Sequence, residues 1–170
     1  MDRAAAVLET ILSRRSVRRY TDQPLAREQI EVLMDAAMAA PSGNAVRPWH
    51  FVLVQDAARR KQLSEVHRWA QMCAQAPFVV VVCAQADDMT FWIDDCSAAT
   101  ENILLMAEAM GLGGVWIGIR QTASYEEEVR RIVGAPASAR VLCLLAIGYP
   151  AERLPAYGKH NASQAHWERW

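Results

Sequence analysis

Two stretches constrain this chain more than any others. Residues 78–84 (FVVVVCA) and 141–147 (VLCLLAI) are apolar at every position. A strand with one face in water alternates apolar and polar residues, whereas an unbroken apolar run of this length, bounded by turn residues, suits a central strand covered on both faces. Two more strands are expected, at 49–54 (WHFVLV) and 115–119. Helical spacing dominates the rest. Ala4, Val7, Leu8, Ile11 and Leu12 form one stripe of a helix over 4–14, and Ile30, Leu33, Met34, Ala37 and Met38 one stripe of a helix over 27–40. Shorter helices are expected at 57–67, 68–76 and 125–133. The helix over 94–110 is apolar nearly all round, which is more than one face of a small domain requires. Glycines at 111, 113 and 114 stop it. The pattern predicts a single mixed α/β domain over 1–170 with about four strands and five or six helices.

The chain has 170 residues, 52% hydrophobic and 22% charged, with a formal net charge of −1. That length suffices for a core without disulfide or metal staples. The charge balance gives no footprint for nucleic acid or an anionic membrane surface. The N-terminus is amphipathic and lacks the apolar core of a signal peptide, and no apolar run approaches a bilayer span. A soluble, cytoplasmic protein is expected. Cys73, Cys83, Cys96 and Cys143 contain no CxxC pair, and two of them fall in expected strands, which argues against a disulfide framework or a zinc site. GxGxxG after a strand, the P-loop, GxSxG and HExxH are all absent.

Positive charge is concentrated at one place. Arg14, Arg15, Arg18 and Arg19 put four of the 18 basic residues into positions 14–19, with Ser16 among them. Guanidinium groups and a hydroxyl suit a phosphate monoester. Arginines after a helix also complement its dipole, so charge alone leaves both readings standing. A second candidate is the loop of Pro41, Ser42, Gly43 and Asn44, continuing through Arg47 and Pro48 into the strand. It is rigid and small-featured, and could approach a flat ligand with backbone and amide groups; it could also be an ordinary connection. The four histidines, His50, His67, His160 and His166, have no nucleophile partner and read as structural or surface residues, with His160, beside Lys159, set apart as the exception. Asp94 and Asp95 read as favourable charge at a helix start, and residues 126–128 as a solvated first turn. The six tryptophans read as core and interface residues, with Trp92 and Trp116 set apart as candidates for a ligand site.

Taken in order, ILSRRSVRRYTDQPL, AAPSGNAVRPWHFVLV, SAATENILLMAEAMGLGGVWIG and LLAIGYPAE resemble the nitroreductase family of FMN enzymes. The resemblance covers nearly the whole chain. It implies a three-layer α+β fold with a mostly antiparallel central sheet flanked by helices, in a homodimer with flavin between subunits. It also implies hydride transfer from NADH or NADPH, by a ping-pong scheme, to an electron-poor acceptor such as a nitroaromatic or quinone. A dehalogenase or flavin-fragmenting relative, or a flavin store or sensor, shares the scaffold. By this resemblance Arg14, Arg15 and Ser16 hold the flavin phosphate and ribityl chain. Arg18 approaches the N1–C2 edge as an electrostatic stabiliser, and no side chain acts as an obligatory acid or base. Pro41, Ser42, Gly43 and Asn44 line the ring, often from the other subunit. Gly113 and Gly114 match a loop near the N5–O4 edge, and Lys159 a basic residue near the phosphate. No metal is implied. Residues 150–170, with Trp167 and Trp170, are expected to wrap the partner subunit. The chain departs from many relatives at Asn44, one position early, at Arg47 in place of Gln, and at Gly158 in place of Arg.

Overall fold

The computed structural model describes residues 2–152, 154–156, 158 and 161–170. Among them lie six α-helices and four strands: α1 (Arg3–Ser13), α2 (Arg27–Met38), β1 (Trp49–Val54), α3 (Ala57–Ser64), α4 (Met72–Gln75), β2 (Phe78–Ala84), α5 (Trp92–Ala109), β3 (Gly113–Gly118), α6 (Ala123–Val133) and β4 (Arg140–Gly148). The strands form one sheet in the order β1-β2-β4-β3, and all three pairings are antiparallel. The two apolar runs become the two inner strands, and every residue of β2 is buried. Strand neighbours satisfy their backbone groups on both sides, so no polar side chain is needed there.

Alternation along β2 divides the core. Phe78, Val80, Val82 and Ala84 pack with α2 and α5 on one face. Val79, Val81 and Cys83 pack on the other with Leu63 of α3, Cys73 of α4 and Val129 and Ile132 of α6. Helices therefore cover both faces, giving three layers. β4 pairs Cys143 with Val82 and Val141 with Cys83, which leaves Leu142 as a bulge. The Leu142 carbonyl is used at the end of β3, where it accepts from the Ile119 and Arg120 N–H groups (3.1 and 3.3 Å). α5 is the axis of the first layer, with Ile103, Leu104 and Ala107 against the sheet.

Two expectations change. Gly113 and Gly114 lie inside β3 rather than on a loop, because Leu112 closes the turn from α5 through its bond to the Ala107 carbonyl (2.8 Å). The 126–128 run is not a solvated turn at its first member. Glu126 is only 4% exposed and accepts from Arg140 Nε and Nη2 (3.0 and 2.9 Å) and from the Val141 N–H (2.9 Å), tying α6 to β4. No helix among the described residues is long and apolar enough to cross a membrane.

Candidate functional site

The arginine segment leaves α1 and runs along the free edge of β3. Ser16 bridges Gly114 in parallel, and the Val17 N–H donates to the Gly114 carbonyl (3.1 Å). This close approach requires glycine: a Cβ on Gly113 would come within 2.7 Å of the Val17 side chain. The buried Val17 is thus the peg that fixes the arginines around it. Beyond it, Tyr20 bridges Pro150, and its hydroxyl donates between the carbonyls of Val17 and Ala146 (2.5 and 2.9 Å). Burial pushes the Tyr20 hydroxyl far above the ordinary tyrosine range, so it stays a donor. The start of the tail adds three contacts. Ala151 N–H donates to Arg19 O (2.9 Å), Glu152 accepts from the Arg18 N–H (2.8 Å), and Arg15 donates to the Pro155 carbonyl. Pro150, Ala151, Glu152 and Pro155 therefore clamp their own chain's arginine segment, while residues 161–170 are exposed, including Trp167 and Trp170. Arg14 pairs with Glu101 of α5 (3.3 Å).

Arg18 opens onto a cleft of about 610 Å³ beside β3, within the range of small-molecule sites. Trp116, Ile117 and Gly118 form its strand wall, and Arg68, Trp69 and Gln121 belong to its remaining lining. Among the described lining residues there is no carboxylate. His67 anchors the outer segment. Its ring stacks on Tyr125 (centroids 5.0 Å apart), and Nδ1 accepts from the Trp69 N–H (3.1 Å). Desolvation lowers the His67 pKa, which favours the neutral ring with its proton on Nε2.

The loop of Pro41, Ser42, Gly43 and Asn44 sits elsewhere. It feeds β1, at the opposite edge of the sheet from β3. Three interstrand spacings separate those edges, roughly 14 Å. The loop is bent hard: Asn44, Ala45 and Arg47 all have positive φ (52°, 57° and 51°). Such backbone is disfavoured for these residue types and persists when its surroundings hold it. Here the holder is Asp95, 5% exposed, whose carboxylate accepts from the Gly43 N–H (2.8 Å). Ser42 Oγ accepts from the Arg47 N–H (3.0 Å), and the Phe91 ring occupies the space a Gly43 side chain would need.

The structure thus brings Arg14, Arg15, Ser16 and Arg18 together with Gly113 and Gly114, and it keeps Pro41, Ser42, Gly43 and Asn44 apart from them. Lys159 and His160 lie outside the described residues. Trp116 joins the cleft, but Trp92 is buried beneath the Arg140 guanidinium (4.9 Å). His50 contacts the Gln85 carbonyl (3.3 Å) and His166 packs on Trp170. Among the described residues no acidic, cysteine and histidine group could hold a metal. All four thiols are buried, and burial raises Cys73 and Cys96 to about 12 and Cys83 to about 11. Sequence reasoning missed Arg68, Trp69, Gln121 and the tether role of Asp95. None carries a local motif; the cleft is assembled from separate connections.

These residues fit a phosphorylated planar cofactor: a fixed guanidinium and hydroxyl segment adjoins a carboxylate-free cleft with tryptophan and arginine walls.

The nitroreductase family model matches residues 11–149. A protein of Archaeoglobus fulgidus provisionally named NADH dehydrogenase/NAD(P)H nitroreductase is 37% identical, over 96% of this chain and 98% of its own. The NADPH-flavin oxidoreductase of Vibrio harveyi is 31% identical, over 88% of this chain and 70% of its own. Among solved structures, an FMN-dependent nitroreductase from Clostridium difficile superposes with a TM-score of 0.91 at 28% identity. It covers 96% of this chain and 99% of its own.

Proposed function

The chain belongs to the nitroreductase family, and on that premise we propose that it binds FMN and works as an NAD(P)H-dependent oxidoreductase on electron-poor acceptors such as nitroaromatics or quinones. One observation carries the reading: Arg18, on the pegged arginine segment, opens directly onto the tryptophan-walled cleft beside β3. When bound, FMN supplies the hydride-accepting and hydride-donating centre. The chain supplies placement and charge. Arg14, Arg15 and Ser16 hold the phosphate end, with Lys159 as a further phosphate ligand. Arg18 would lie at the pyrimidine edge of the ring, where its positive charge would favour electron uptake. The Gly113–Gly114 backbone lets the segment lie close to β3. No side chain is required as an obligatory acid or base.

The loop of Pro41, Ser42, Gly43 and Asn44 contributes from a second copy. Its place at the far edge of the sheet supports that arrangement, because one chain does not bring both segments to one ring. The exposed apolar stripe of α1 and the groove it forms with α2 and α5 support a subunit contact, with the later tail wrapping the partner.

The test is the visible spectrum of the purified protein. Wild type should carry oxidised flavin that bleaches anaerobically with NADH or NADPH. The Arg14→Ala/Arg15→Ala double variant should be colourless at equal folding. A fully yellow double variant overturns the phosphate assignment, and flavin that no nicotinamide bleaches favours a store or sensor.

A further inference from the structure

We propose that Arg68 and Trp69 form a selective lip that favours acceptors built as flat aromatic rings with an anionic substituent, such as an aryl carboxylate. This rests on the reading of the β3 cleft as the redox site and adds the substrate class.

Three observations meet at the lip. First, the cleft is one-signed. The chain holds 19 acidic and 18 basic residues, yet the charged side chains of the described lining are Arg18 and Arg68, with no carboxylate. Low-dielectric walls lined by one sign concentrate the opposite charge. Second, Trp69 is 66% exposed at the mouth, with the Arg68 guanidinium carbon 4.8 Å from its ring centroid. The guanidinium lies over the indole ring, so the pair presents an aromatic surface edged by positive charge: the open indole surface stacks on an aromatic ring, and the guanidinium N–H groups donate to its carboxylate. Third, the lip's backbone is fixed. His67 Nδ1 holds the Trp69 N–H, His67 is stacked on Tyr125, and the next residue, Ala70, is fully buried, its N–H donating to the His67 carbonyl (2.9 Å). A preorganised lip gives up little freedom on binding.

A cleft of about 890 Å³ near β1 makes the contrast. Its lining includes Asp87 and Asp88, which repel an anion. Arg18 is already committed to the cofactor's edge in the proposed function and is hydrogen-bonded to the Ser16 carbonyl (3.2 Å). Arg68 is the guanidinium at the mouth, where a second ligand enters.

The experiment titrates oxidised, FMN-loaded protein with 4-nitrobenzoate and with its neutral analogue 4-nitrobenzamide. The readouts are the visible flavin difference spectrum and tryptophan fluorescence. The carboxylate should bind about tenfold more tightly at low salt, with the advantage shrinking as salt rises. In Arg68→Gln, at unchanged FMN content, the two ligands should bind nearly equally. Equal binding in wild type overturns the proposal. So does a carboxylate preference that survives Arg68→Gln, as it would if Trp69 and Arg68 only contacted a second subunit. An Arg68→Gln protein that purifies without FMN also overturns it, by assigning Arg68 to the cofactor. Wild type that takes up no FMN removes the underlying function and this proposal together, whereas FMN-loaded protein without preference removes this proposal alone.

Discussion

Asp95 and Glu126 sit in the first turns of their helices, where acids ordinarily face solvent, and both are buried because each has a backbone N–H to satisfy. Asp95 holds Gly43, next to three residues with positive φ, so the loop's shape depends on a charge-assisted bond. Asp95→Ala should lower stability by about 2 kcal/mol through the unpaired donor. It should also weaken FMN binding, if that loop covers a ring. Asp95→Asn retains an acceptor oxygen and should recover most of both, measured by urea midpoint and by flavin fluorescence titration. Equal FMN affinity in all three proteins would detach the loop from the cofactor. Glu126 is a stability residue. Burial alone raises its pKa, but the Arg140 and Val141 N–H bonds and the charges of Arg140 and Arg130 outweigh burial and leave it below the ordinary value. A depressed folded-state pKa means the stabilisation is complete above the unfolded value, about 4.3, and is lost as pH falls through the lower folded value. Glu126→Gln should therefore cost about 3 kcal/mol at pH 7, and its deficit against wild type should narrow in acid. A deficit independent of pH would refute this account.

At the scale of elements, β3 does two jobs. Its inner side pairs with β4, and its outer edge receives Ser16 and Val17. An open strand edge is a template for further pairing, and here the arginine segment uses it. The sequence places glycine at both contact points because side chains already fill the space: Val17 beside Gly113 and Leu104 beside Gly114. Gly113→Val should push the segment outward, lowering stability by about 1–3 kcal/mol and reducing FMN affinity in parallel. Calorimetry and flavin titration check both; intact FMN affinity would show that the segment's position on β3 is unimportant for binding. α1 behaves oppositely. Its stripe follows helical spacing, yet the helix buries no residue, and Val7 remains 60% exposed. Periodicity predicted the helix over 4–14 and its apolar face, and within the chain that face stays exposed.

For the whole molecule, the expected outcome is a dimer at micromolar concentration in sedimentation, with α1 at the contact. Leu8→Glu/Ile11→Glu should produce monomers that lose FMN while keeping their far-ultraviolet circular dichroism, and a wild-type monomer carrying stoichiometric FMN would refute this assembly. What the sequence determined by itself is local in origin. Seven-residue apolar runs became the inner strands, helical spacing located all six helices within a few residues, and four arginines in six positions marked a cationic segment, because strand and helix periods and charge density are properties of neighbouring residues. Chain order also carried the family resemblance. What only the tertiary structure decided is which distant pieces meet. It put the arginine segment on the edge of β3 and the Pro41–Ser42–Gly43 loop at the opposite edge, made Glu126 a buried tie, and gathered Arg68, Trp69, Trp116 and Gln121 around one cleft. Those outcomes depend on sheet order and on packing across long sequence separations, and a period read along the chain holds no information about either.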